Sequence, residues 1–146
     1  MKQKGLPGLQ KKPRRVYPNQ YICTELANGV MCNGNFYPYQ IMYSPVYLNI
    51  PVPNNKAYYF RNAILFVYAD VGILGKVFVY DDVNQYANVT VFGKNADVKD
   101  IPIKMLFFYP KELNFEFVDT LDGFVTVFYA VIDLLPGELN PKVIIE

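Results

Sequence analysis

Residues 113–132 read LNFEFVDTLDGFVTVFYAVI. Two runs rich in Phe, Val and Ile flank TLDG at 120–123. In the first, Phe115 and Phe117 fall on one face of a strand, with Asn114 and Glu116 on the other. Alternation with period two marks half-buried strands, and a short Asp/Gly-containing break between them predicts a hairpin. Acids such as Glu116 and Asp119 are then expected as solvated hairpin residues.

The same signature recurs outward from this stretch. Strands are predicted at YICTE (21–25), FYPYQIMY (36–43), VYLNIPV (46–52), AYYFRNAILFVYA (57–69), GKVFVYD (75–81), YANVTVFG (86–93), IPIKMLFFY (101–109) and KVIIE (142–146). β-branched and aromatic side chains favour the pleated, half-buried environment. Between them lie turn-forming segments: PNN at 53–55, DDVNQ at 81–85, GKNADVKD at 93–100 and PGELNP at 136–141. No window keeps a helical period over 11–18 residues. The fold class is therefore all-β, a β-sandwich or barrel of eight to ten short strands over residues 17–146. Pro38, Pro45, Pro51 and Pro53 remove ladder donors, so their strands are expected at edges or bends.

Residues 1–16 differ from this body. MKQKGLPGLQKKPRR carries Lys2, Lys4, Lys11, Lys12, Arg14 and Arg15 and no acid. Gly5, Pro7, Gly8 and Pro13 oppose a helix there, so an extended arm is predicted. The remaining residues hold eight basic and all thirteen acidic side chains, so the arm is +6 and the body −5. Segregated charge of this kind reads as an interaction arm, for a neighbouring subunit, nucleic acid or an anionic membrane surface.

The body is short of charge and long on apolar material. Charged residues are 18% of the chain, against about 25% in ordinary domains. Apolar residues are 52% before the nine glycines are counted. Such an excess needs burial, and contacts between subunits are the simplest place. The longest apolar runs are far shorter than the ~18–20 residues of a spanning helix, and the basic start leads into no apolar signal segment. Thirteen tyrosines and eleven phenylalanines accompany no tryptophan. Tyrosine suits interfaces, because its ring buries while its hydroxyl stays wet. Tyr37, Tyr39, Tyr43, Tyr47, Tyr58 and Tyr59 are the candidate interface aromatics.

Catalytic chemistry finds little to use. Histidine is absent, which removes the commonest general base and the usual triads. No phosphate-binding glycine loop occurs. Asp81, Asp82 and Asn84 match no calcium-loop spacing. A non-enzymatic protein is expected, with no metal, cofactor or small-molecule substrate. Cys23 and Cys32 flank TELANGVM. With Leu26–Gly29 as the turn, Glu25 faces Val30 and Cys23 faces Cys32, within disulfide range. A reducing compartment would instead keep both as small buried hydrophobes.

Taken together, KQKGLPGLQKKPRR and the strand series over 36–132 resemble the single jelly-roll coat or vertex proteins of icosahedral viruses. That resemblance implies an eight-stranded double Greek key that tiles into a shell. It also implies a basic arm that runs under neighbouring subunits or touches the packaged genome, and a place in the virion; outside a virion, a cytoplasmic location is expected. The partners implied are further copies of the chain and other coat proteins. Two other classes fit parts of the sequence. A carbohydrate-binding β-sandwich would use exposed tyrosines, and a small nucleic-acid-binding barrel would need more Lys and Arg between 17 and 146.

Overall fold

In the computed structural model, residues 20–45, 47–93, 95–120, 122–135 and 142–145 are described. The basic arm lies outside them. The described residues form eleven strands and no helix: β1 (Gln20–Leu26), β2 (Gly29–Cys32), β3 (Asn35–Ser44), β4 (Leu48–Pro51), β5 (Lys56–Tyr68), β6 (Leu74–Tyr80), β7 (Gln85–Phe92), β8 (Ala96–Phe108), β9 (Glu112–Val118), β10 (Asp122–Asp133) and β11 (Lys142–Ile145). The protein is all-β, as its alternating patterns predict. The stretch at 93–100 is not all turn, since β8 already begins at Ala96.

Two sheets result, ordered β11-β1-β2-β3-β10-β5-β8 and β4-β9-β6-β7. Their inward faces meet in a sandwich-like core. Phe60, Leu65, Val67, Ile101, Phe107, Val125 and Val127 from the first sheet pack with Ile50, Val77, Val79, Val91, Leu113 and Phe115 from the second. From β3 to β10 the strands pair in nested fashion: β3 with β10, β4 with β9, β5 with β8 and β6 with β7. All four pairs are antiparallel.

This arrangement overturns the predicted hairpin at 113–132. β9 pairs with β4 and β6, whereas β10 pairs with β3 and β5. The short link between them turns a corner from one sheet to the other. Both segments have an apolar face, and those faces meet across the core instead of lying side by side. Two residues shape the corner. Asp119 has φ 55°, a left-handed conformation that Asp tolerates better than most residues. Gly123 sits against the Phe117 ring, so a Cβ there would lie 1.9 Å from Phe117 Cε2.

The seven-stranded sheet curls over itself at one end. Tyr21, Cys23, Val30 and Cys32 of β1 and β2 cover Ala57 and Tyr59 of β5 and Ala130 and Ile132 of β10. These residues lie on the face opposite the main core. Residues 57–60 are thus enclosed on both sides, which accounts for the unbroken AYYF. Cys23 and Cys32 pair in register and close a disulfide. Glu25 faces Val30 as the spacing predicts. The loop is tighter than a four-residue turn, because Leu26 and Gly29 already pair.

The proline-bearing strands occupy suitable places. β4 is an edge of its sheet. β3 changes partner at Pro38: residues 35–38 face β2, and residues 39–44 face β10.

Candidate interaction surfaces

The outer face of β3-β10-β5-β8, beyond the curl, is apolar. Cross-strand register builds it in rows. Phe124, Phe66 and Val98 form one; Tyr43, Thr126, Ile64 and Asp100 the next; Ile41, Phe128, Asn62 and Pro102 the third. Ile41 is 64% exposed, Tyr43 59% and Val98 62%, while Ile64 and Phe124 are also exposed. Phe124 stacks between two rings, with centroids 5.9 Å from Tyr43 and 5.5 Å from Phe66. Polar groups interrupt this face towards β8, where Asn62 Nδ2 donates to Asp100 Oδ1 at 2.8 Å. The outer face of the second sheet is more polar. Its corresponding positions include Lys76, Asn88, Thr90, Asn114 and Glu116, with Phe78 and the exposed Leu74–Phe92 pair among them. Contiguous exposed apolar surface spanning several strands is the signature of a contact surface rather than of scattered surface residues.

At the curled end, Glu25 ties three strands together. The Tyr39 hydroxyl donates to Glu25 Oε2 at 3.3 Å, and Lys104 Nζ lies 3.2 Å from Oε1. Lys104 occupies a β-bulge: Phe60 faces Met105 and Asn62 faces Pro102, leaving two residues of β8 opposite Arg61. Its φ is 49°, and bulges of this kind re-aim a side chain. The Arg61 guanidinium sits 5.2 Å from the Tyr39 ring centroid. Burial, with the Glu25 charge, pushes Tyr39 up to about 12. Tyr59 is raised further by the same causes, so both remain neutral hydrogen-bond donors.

An open cleft of about 550 Å³ lies where the β6–β7 turn meets the β8–β9 turn. Tyr80, Asp81, Asp82, Tyr109, Lys111 and Glu112 line it, with Leu106, Phe108, Pro110 and Asn114. Asp81 organises its floor. Its Oδ1 accepts from the backbone N–H of Val83 and Asn84, both at 2.7 Å. Its Oδ2 accepts from the Tyr86 hydroxyl and faces Lys111 Nζ at 3.5 Å. Lys111 also lies 3.8 Å from Asp82 and 5.1 Å from the centroid of Phe107. Asn49 Nδ2 donates to Glu112 Oε1 at 2.7 Å.

Burial alone would raise the Asp81 pKa. The bonds from Tyr86, Val83 and Asn84 and the Lys111 charge outweigh burial and hold it below the ordinary 3.8. A depressed carboxyl contributes stability above its unfolded pKa and loses it as pH falls through the folded value. Asp81→Asn keeps an oxygen acceptor but loses the charge. It should cost about 1–2 kcal/mol at pH 7. Denaturant titrations at pH 7 and below pH 3 test this, because the difference between variant and parent should shrink at the acid end.

The structure separates the residues singled out from sequence. Lys2, Lys4, Lys11, Lys12, Arg14 and Arg15 lie outside the described residues. Tyr43 and Tyr47 are exposed. Tyr37 and Tyr39 are partly buried against the second cluster. Tyr59 is buried within that cluster, and Tyr58 packs on the main core. Period-two alternation could not separate these last two from surface tyrosines, because β5 is covered on both faces there. Ile41, Phe66, Val98 and Phe124 were not singled out. For Ile41, Phe66 and Phe124 the signal is apolar character on both faces of the predicted strands at 36–43, 57–69 and 124–132; Val98 falls in the segment 93–100 that reads as turn. Among the described residues no group of three or more acidic or thiol side chains converges as a metal site. No helix among them is long and apolar enough to cross a membrane.

No protein-family model and no curated protein matches the chain. Two solved structures of the capsular polysaccharide assembling protein CapF from Staphylococcus aureus are similar to it at 16% and 14% identity. They cover 86% and 89% of this chain, with TM-scores of 0.26 and 0.23. The chain spans about a third of their length, at 34% and 33%.

Proposed function

We propose that the chain is a structural subunit of a symmetric shell, a capsid, vertex or cement component of a virion, that assembles through the outer face of β3-β10-β5-β8. The observation that carries this reading is the contiguous apolar surface around Ile41, Tyr43, Phe124 and Val98. Its exposure accounts for a composition with too little charge for a solitary domain. The framework is a single jelly roll, β3 to β10, extended by β1, β2 and β11. The nested pairing supports it: a long hairpin folded over and rolled into two facing sheets pairs its first strand with its last and its middle strands with each other. In the assembled shell the basic arm contacts a neighbouring subunit, the genome or an anionic membrane.

Replacing both Ile41 and Phe124 with Asp tests the reading. Both side chains point outward, so the core stays intact. Each removes an interface group worth about 1–3 kcal/mol, so the dissociation constant should rise at least about 30-fold. Light scattering across a concentration series reads this directly. The parent chain should associate and the double variant should remain monomeric. A parent that stays monomeric at every concentration, or a variant that associates like its parent, overturns the reading. A monomer that also binds glycans would identify a carbohydrate-binding module instead.

A further inference from the structure

The cleft between the β6–β7 and β8–β9 turns has an unbalanced charge. Among its lining residues are three carboxylates, Asp81, Asp82 and Glu112, and one ammonium, Lys111. Lys111 is already held by Asp81 and Asp82. The Asp82 side chain remains 75% exposed, and Glu112 is exposed as well. A carboxylate of Glu116 lies close by, bound to the Tyr80 hydroxyl at 3.1 Å. The walls are apolar, supplied by Leu106, Phe108, Tyr109 and Pro110. A fitting ligand is thus an extended, basic peptide with an apolar residue among its charges.

The chain supplies such a peptide. Residues 11–15 read KKPRR, two basic pairs separated by a proline that opposes a helix there. Topology places the first described residue after this segment, Gln20, near the cleft. β1 runs alongside β11 and opposite to β2. Following the ladder from β1 through β2, β3, β10 and β5 to β8, Gln20 lies at the end of the sheet where β8 finishes. Tyr21 packs in the same cluster as Leu106 and Phe108, which wall the cleft. The Tyr21 hydroxyl reaches Asp133 of β10, and β10 and β8 are two strand spacings apart, about 10 Å. Eight residues from Lys12 to Gln20 span up to about 26–29 Å, which covers that separation.

We propose that the cleft formed by Asp81, Asp82, Tyr109 and Glu112 is the docking site of the same chain's basic segment, Lys11 to Arg15. This goes beyond assembly through the apolar face and does not depend on it. The same side chains cannot neutralise phosphate while they occupy the cleft. Docking therefore competes with any anionic partner of the arm.

Zero-length carbodiimide crosslinking of the full chain at low salt, read by mass spectrometry, tests the proposal. The Lys56–Asp133 and Lys104–Glu25 pairs serve as internal controls. Mixing isotopically labelled and unlabelled chains separates links within a chain from links between chains. The expected products join Lys11 or Lys12 to Asp82 or Glu112 within one chain. In a variant with Arg14→Glu and Arg15→Glu their yield should fall about tenfold, with the control links unchanged. Formation of the control links without these products, or products joining only labelled to unlabelled chains, overturns the proposal. So does an unchanged yield in the variant. Within-chain links in a chain that light scattering finds monomeric would sink the shell assembly and leave this docking standing.

Discussion

Phe60→Ala should lower the unfolding free energy by about 3–5 kcal/mol, the range for deleting a fully buried aromatic ring. Phe60 is 0% exposed. Its ring meets Phe107 edge-on at 4.9 Å between centroids, with Tyr58 at 6.0 Å and Tyr129 at 6.1 Å. These neighbours come from β5, β8 and β10, so no one strand can shift to fill the void. The bulge at Arg61 lies directly after Phe60, and the curled layer closes the opposite face at Tyr59. Collapse into the cavity is therefore opposed from both sides, which places the cost in the upper part of the range. Phe92→Ala is the matched control. Phe92 is 59% exposed on the edge strand β7, and its loss should change stability by no more than about 0.5 kcal/mol. Equal midpoints for the two variants in urea would contradict this placement of the core.

The period-two patterns locate ten of the strands because alternation records which side chains face inward. They do not record which strands are neighbours. At 113–132 two half-buried strands joined by a short link fit a hairpin and a sheet-to-sheet corner equally well, and the difference lies in contacts made by residues far apart in sequence. β8 shows the converse. Ala96–Asp100 reads as turn material because this end of an edge strand is largely exposed and so carries ADVKD. β2 is short, and only the cysteine register across the Asn28-Gly29 turn announces it. The surfaces divide in the same way. Charge segregation in the arm is visible in the chain as written. The cleft is not, because its carboxylates come from two turns some thirty residues apart. The apolar outer face is half legible: AYYFRNAILFVYA is too apolar for one buried face, and part of it is covered by the curl while part stays open.

The corner itself yields the second large effect. Gly123→Ala should destabilise by about 3 kcal/mol, at the top of the usual range for forcing atoms into a filled site. The new Cβ would stand 1.9 Å from Phe117 Cε2, 2.6 Å from Cδ2 and 3.1 Å from Cζ. Phe117 packs against the main core from β9, so its ring must leave that contact or β10 must withdraw from it. β10 is held on both sides, by β3 through Val125 and by β5 through Gly123 itself, and withdrawal would break both ladders. A hairpin would make a different demand, because side chains at 117 and 123 would then project from one sheet and an added methyl would find room beside the ring. The double variant Gly123→Ala with Phe117→Ala separates these cases. If the ring is the obstacle, removing it relieves the clash, and the double variant should be less destabilised than the sum of the two single variants by at least about 1 kcal/mol. Additive losses in denaturant titrations would mean that the ring does not lie over Gly123.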